Sequence, residues 1–325
     1  MATGSWPTIV DVATRTDPEG NIAEVAEMLS QCNDYEGDAP YIEANEKTGH
    51  EFSFRTSIPA GSWRSYNMGV GYSKSTTGKS RVGIGMLEDW SQVDRALLRH
   101  SGQGEKFRRS EDFAFLEGMS QTIAQTLIYG NTAITPAEFM GLAPFYNSLT
   151  AAQNGTNIID CQGTGSSNTS IWYIGWSPES FFLVYPRGTT AGIHMEDRGD
   201  TVPAFDNLGN PYLAFTSVFE QHVGLCPKDW RYGARMANLD VTNAGLAGAN
   251  AYDLFAGMAE TVLHFPKTTK AVSGVEKTDA PNDQFGTRRI WYCNRTVLHW
   301  MYVQAMRDRN VLLRLEDYAG MVTDN

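Results

Sequence analysis

The chain has 325 residues, 42% of them hydrophobic and 19% charged, enough for about two domain-sized units of roughly 150 residues. Its 11% aromatic content, with 8 Trp, excludes a disordered chain, and a core of this size needs neither disulfides nor structural metals. With 26 basic against 37 acidic side chains, the net charge is −11 and the isoelectric point about 5.0, which excludes an overall basic footprint for gripping nucleic acid.

Apolar runs such as Phe181 to Tyr185 fall far short of the roughly 20 residues that span a bilayer. The N-terminal stretch has no basic start followed by an apolar run, so neither a membrane role nor a signal peptide is expected. Cys32, Cys161, Cys226 and Cys293 form no CxxC, and buried, reduced thiols in an intracellular protein are the plain reading.

In chain order, the first 45 residues read as an arm. Asp17-Pro18-Glu19 opens a short helix with Ile22, Val25, Ala26 and Leu29 on one face, and Gly37 and Pro40 fall in connecting chain. Glu51 to Ile58 and Ser80 to Met86 alternate apolar and polar residues as half-exposed strands do. Between them a Gly/Ser/Thr/Tyr stretch reads as a long exposed excursion, the kind of loop that usually carries function. The clearest helix is predicted over 110–130. Ser110 is its N-cap, and Phe113, Leu116, Met119, Ile123 and Leu127 form its apolar face. Gly130-Asn131 is its stop, and Gly118 inside it leaves room for close packing.

Further on, Ile171 to Ile174 and Phe181 to Tyr185 are predicted strands. Tyr212 to Val223 and Trp230 to Leu239 are two long strands joined through Gly224 and Cys226-Pro227. Asn250 to Phe265 is a predicted helix with Leu254, Met258 and Val262 on one face. Residues 267 to 287 read as a polar loop, Arg295 to Arg309 as a helix, and Val311 to Leu315 as a closing strand. Strands and helices do not alternate regularly, so the fold class is α+β rather than a doubly wound parallel sheet.

The recognisable chemical motifs fail on inspection. Thr77-Gly78-Lys79-Ser80 ends like a phosphate-binding loop, but Ser73 stands where that loop needs glycine and a strand follows instead of a helix. His194-Met195-Glu196 lacks the P-C-x-x-C partner of a zinc deaminase. Glu196, Asp197 and Asp200 read as solvated loop acids, and Lys106-Phe107-Arg108-Arg109 as a solvated approach to the helix. No catalytic, cofactor-binding or metal-binding residues emerge, and no cofactor is expected.

The order of segments is more informative. Leu127-Ile128-Tyr129-Gly130-Asn131 followed by Gly141-Leu142-Ala143-Pro144 resembles the end of the spine helix in tailed-phage major capsid proteins of the Hong Kong 97 fold. Trp230 to Asp240 and Tyr292 to Leu298 resemble the short-tailed-phage, epsilon-fifteen-like branch of that family. The resemblance covers essentially the whole chain.

It implies an N-terminal arm over 1–48 and an extended hairpin, the E-loop, over 49–92. A peripheral P-domain would take 93–139 and 206–240 with the spine helix at 110–130, and an axial A-domain 140–205 and 241–325. Members of this branch commonly continue one strand beyond the segment matching Leu313 to Asp317. The implied activity is structural, not enzymatic: self-assembly through hexamers and pentamers into an icosahedral head that encloses DNA without reading its sequence. The subunit would be assembled in the host cytoplasm and end in the virion. A separate scaffolding protein, a portal and a decoration or cement protein are the implied partners. Lys74 and Lys79 lie on the E-loop, but no cross-linking acceptor matches them, so covalent cross-linking is not expected. Trp63, Tyr66, Met68 and Tyr72 would be E-loop anchors on a neighbouring subunit, since aromatics and Met are enriched at such contacts. The competing readings are an encapsulin-type compartment shell and a soluble α+β enzyme whose site is not recognised.

Overall fold

The structure, a computed structural model, describes residues 7–8, 35–100, 104–151, 154–200, 203–206, 208–242, 252–266 and 287–307. The predicted helix after Asp17, Cys32, most of the polar stretch 267–287 and the Val311 to Leu315 strand lie outside these residues.

The elements run α1 (Tyr35–Asp38), β1 (Tyr41–Glu43), β2 (Gly49–Ser57), β3 (Thr76–Gly83), β4 (Gly85–Asp94), α2 (Arg95–His100), α3 (Gly104–Tyr129) and α4 (Leu142–Phe145). There follow β5 (Ile158–Asp160), β6 (Asn168–Trp176), β7 (Phe181–Tyr185), β8 (His194–Gly199), β9 (Pro203–Phe205), β10 (Pro211–Pro227), β11 (Gly233–Asp240), α5 (Leu254–His264), β12 (Arg288–Tyr292) and α6 (Arg295–Arg307).

Among the described residues one large mixed sheet has the order β4-β10-β7-β6-β11-β5. β1 is added on β7, β12 on β6, and β8 and β9 on β10. The predicted connecting chain around Pro40 is therefore partly structural, because Tyr41 to Glu43 lie parallel to Leu183 to Tyr185. The 17-residue β10 is the spine of the sheet. Its middle pairs with β4 and β8, its end with β7, and it runs unbroken through the Gly224 to Pro227 segment expected to be a joint. Glycine is required at 224, since a Cβ there would sit 2.6 Å from the Gly83 carbonyl oxygen.

β6 and β7 are buried on both faces, and their near-continuous apolar runs reflect it. Period-two alternation sorts their side chains between two layers. Trp172, Ile174 and Trp176 face Leu127, Leu142 and Tyr146, while Ile171 faces Leu254, Met258, Val297 and Met301 from α5 and α6. Val262, expected on the buried face of α5, is 40% exposed, and Thr261 takes its place. A bulge in β11 near Asn238 (φ 56°) breaks the alternation, so Met236 and Leu239 enter the same layer.

The long helix starts at Gly104, six residues before the expected Ser110 cap, so the basic run Lys106 to Arg109 lies within it. Met119, Ile123 and Leu127 are buried as expected and Leu116 is half-buried. Phe113 is not: it is 68% exposed, and Asp112 is buried instead. At about 100° per residue, Asp112 falls roughly 20° from the Met119 direction whereas Phe113 falls about 120° away. Phe107 is fully buried against a different neighbour, the Val93 and Leu98 cluster. Gly118 is not a close-packing point within the subunit, because nothing lies within 4 Å of a Cβ placed there.

Candidate assembly surface

β2 and β3 form a separate two-stranded ribbon, from Gly49 opposite Gly83 to Ser57 opposite Thr76. Its root is fastened. Val82 packs with Ala44, Phe182, Val184 and Cys226. Arg81 donates to Glu46 Oε2 and Thr48 Oγ1, both at 2.8 Å, and Lys79 pairs with Glu51 at 2.6 Å. Toward the tip hydroxyls add to the backbone pairing, with Thr56 and Ser57 each 2.7 Å from Thr76 Oγ1. Lys79, the lysine of the rejected phosphate-loop motif, is thus a strand residue in an ion pair.

All four expected anchors lie in the loop beyond this ribbon, and all are open: Trp63 104%, Tyr66 95%, Met68 65% and Tyr72 108% exposed. Ile58, which sequence reasoning treated only as a strand end, joins them at 81%. Burying each such side chain is worth about 1.5–3 kcal/mol. A lone two-stranded ribbon is marginal in water, so these side chains represent unspent burial energy that a partner surface can claim.

A second feature was hidden in the sequence. The acidic segment of β8 and the basic start of α3, each read as a solvated run, meet. Arg108 Nη2 donates to Asp197 Oδ1 at 2.5 Å and to Ser217 Oγ at 2.8 Å, and its guanidinium lies 5.4 Å from the Phe215 ring centroid. Arg95 pairs with Asp200 at 3.1 Å, and Arg198 lies over Trp90 at 4.9 Å. The Arg108 hydrogen bond holds the Asp197 carboxyl below its ordinary pKa. Beside it, burial pushes the Asp112 carboxyl up, with Ser217 Oγ 3.4 Å from its Oδ2 and no hydrogen-bond partner on Oδ1. Eighty-nine residues separate Arg108 from Asp197, so no local pattern could have announced the pair.

Among the described residues no group of three His, Cys, Asp or Glu side chains could hold a metal, and no helix is long and apolar enough to cross a membrane. Burial raises the Cys161 and Cys226 thiols to about 12, which makes them inert. Cys293 departs from the expected burial and is exposed.

Two of the peptides that carried the family resemblance are in contact. Gly141 N–H donates to the Gly130 carbonyl at 2.8 Å, so the helix end and the following turn form one unit. The fold is thus a hairpin with exposed apolar side chains beside a mixed sheet backed by a long helix. The chain belongs to the major capsid protein GP7 family, whose model matches residues 17–324. It is 31% identical to the chain in the bacteriophage Epsilon15 structure, covering 98% of this chain and 92% of that one with a TM-score of 0.68. Its fold is the α+β Hong Kong 97-type capsid fold, and its role is that of a phage major capsid protein forming the icosahedral head shell. The bacteriophage JBD30 capsid matches at 9% identity and TM-score 0.46, covering 85% of this chain and 83% of that one. The SrpI encapsulin complex of Synechococcus elongatus PCC 7942 matches at 8% and 0.45, covering 71% and 96%. No curated protein matches the sequence. The family is a structural one and not an enzyme class.

Proposed function

We propose that the subunit assembles through hexamers and pentamers into a head that encloses double-stranded DNA, with the hairpin arm lying on a neighbouring subunit. The observation that carries this reading is the concentration of exposed Trp63, Tyr66, Met68 and Tyr72 on an arm whose root, by contrast, is bonded to the body. Closed symmetric shells need such reaching contacts, because each subunit must share interfaces with several copies. The net charge of −11 suits a wall that faces DNA without adhering to it. A separate scaffolding protein, a portal and a decoration protein complete the proposed set of partners, with assembly in the host cytoplasm.

In this reading the N-terminal arm is 1–48 and the E-loop is the β2–β3 hairpin. We place the E-loop boundary at Gly83 rather than at 92, because β4 pairs with β10 over ten positions from Gly85 to Asp94. β4, α3 and the first part of β10 then form the P-domain, and β5 to β7, β11, α5, β12 and α6 the A-domain.

The test is a triple variant, Trp63→Ser, Tyr66→Ser and Tyr72→Ser, imaged by negative stain beside the wild type. The expected result is a folded subunit with unchanged circular dichroism that yields no closed particles. Particles at wild-type yield would remove the hairpin from the assembly surface.

A further inference from the structure

The densest run of positive charge in the chain folds into a corner where α2 meets α3. Between residues 95 and 109 stand Arg95, Arg99, Lys106, Arg108 and Arg109, with Glu105 as the one acid among them. Leu98 of α2 packs on the fully buried Phe107 of α3. Glycine opens α3 because a Cβ at Gly104 would lie 2.9 Å from both the Cβ and the carbonyl oxygen of Leu98. The end of α2 and the start of α3 are thereby held against each other, which gathers their charged side chains at one corner of the fold.

Two of the five cations are satisfied within the subunit. Arg95 is paired with Asp200 and Arg108 with Asp197, so those carboxylates offer nothing further to the corner. Asp94 is also engaged, its Oδ1 accepting from the Ala96 N–H at 2.7 Å at the head of α2. Arg99, Lys106 and Arg109 are exposed and make no ion pair among the described residues. At about 100° per residue, Lys106 and Arg109 fall roughly 60° apart on α3, both turned away from the Arg108 direction. Arg99 stands one turn beyond Arg95 and lines, with the exposed His100, an open cleft of about 660 Å³.

We infer that this corner is where the shell wall touches the DNA it encloses, with Arg99, Lys106 and Arg109 on backbone phosphates. The inference rests on the shell reading above and adds to it the point of contact. Local chemistry selects the occupant. Leu98 and Phe107 are buried, so apart from the half-exposed Leu213 at the cleft edge the corner presents charge without an apolar anchor. A protein-docking surface is built round a desolvated anchor. Phosphate contacts need only cations within reach, and they read no sequence. So few of them leave the duplex free to slide along the wall.

The experiment uses the full-length protein in two arms. In the first, DNA-filled particles, emptied particles and dissociated subunits are treated with an amine-reactive acetylating ester. Lys106 is followed by mass spectrometry, with Lys74 as the internal reference. An amine engaged with phosphate about nine-tenths of the time reacts about tenfold slower, so Lys106 should be protected by about that factor in filled particles alone. Equal rates in filled and emptied particles overturn the inference. Protection that persists in emptied particles overturns it also, because it assigns the corner to another copy or another protein.

In the second arm, dissociated subunits bind a labelled DNA duplex while the salt concentration is varied. Arg99→Gln, Lys106→Gln and Arg109→Gln, each with wild-type circular dichroism, should each lower the slope of log affinity against log salt by about 1. The wild-type slope in all three variants, or no binding at low salt, overturns the inference. Wild-type protein that never forms particles refutes the shell reading itself, an outcome distinct from filled particles whose Lys106 stays open.

Discussion

The Tyr292 hydroxyl donates to Asp38 Oδ2 at 2.8 Å while accepting from Trp176 Nε1 at 2.8 Å, joining residues 254 positions apart in the chain. Asp38 is also paired with Arg288 at 2.9 Å, and the Tyr292 ring packs at 4.4 Å against Tyr35. Burial and the neighbouring carboxylate push the Tyr292 hydroxyl well above its ordinary pKa, so it remains a donor at any working pH. The segment just before β1 is thereby closed onto the last described strand of the sheet.

Tyr292→Phe should therefore cost about 1–3 kcal/mol, the penalty for stranding a buried donor and part of a carboxylate. Urea unfolding of unassembled subunits would show this as a lower midpoint at unchanged slope. An unchanged midpoint would mean that the bridge contributes nothing.

Arg108→Met retains most of the stem that packs on Phe215 but removes the donors to Asp197 and Ser217. Since Asp197 is half-exposed, the expected loss is about 1–2 kcal/mol rather than that of a fully buried pair. Asp197→Asn should cost less than Arg108→Met, because Ser217 and Asp112 still face the arginine. The reverse order in denaturation midpoints would contradict this.

The two carboxylates of that network act oppositely with pH. The folded-state pKa of Asp197 lies below its unfolded value, so its contribution is present above the ordinary carboxylate range and is lost as pH falls through the folded pKa. Asp112 is raised, so its ionisation weakens the fold as pH climbs from the ordinary value through the raised one. Asp112→Asn should accordingly stabilise the subunit at pH 7, with the gain disappearing below about pH 4, where Asp112 is protonated in both states. Midpoints measured from pH 3.5 to 7.5 would test both signs, and destabilisation by Asp112→Asn at pH 7 would refute the second.

Glycine replacements should split in direction. Gly118→Ala, on an exposed helix position with open space, should stabilise by about 0.5–1 kcal/mol. Gly141→Ala would place Cβ 2.4 Å from the Thr126 carbonyl oxygen and 2.8 Å from the Gly130 nitrogen, both backbone, and should cost more than about 2 kcal/mol. Thermal melts of the two variants should move in opposite directions. A common direction would contradict the packing at the helix end.

How much was legible follows from the range of the forces involved. Local periodicity placed β2, β6, β7, β10, α5 and α6 within a few residues, because a strand or helix face is written in neighbours two to four positions apart. It also singled out Trp63, Tyr66, Met68 and Tyr72, which the fold leaves exposed, since large side chains among Gly and Ser have nothing nearby to bury them. Tertiary structure decided what periodicity could not carry. It turned Phe113 outward and Asp112 inward, because Arg108 and Ser217 make a buried carboxylate tolerable there. It brought β8 acids to α3 bases across 89 residues, converting two solvated runs into one clamp. It assigned β4 to the sheet and not to the hairpin, through pairing with a strand more than a hundred residues later. The sequence by itself determined most of the longer elements, the family and the exposed apolar stretch, all of which rest on short-range pattern. Which charges are paired and which faces stay open required the fold, because burial and ion pairing depend on partners that only the folded chain brings within reach.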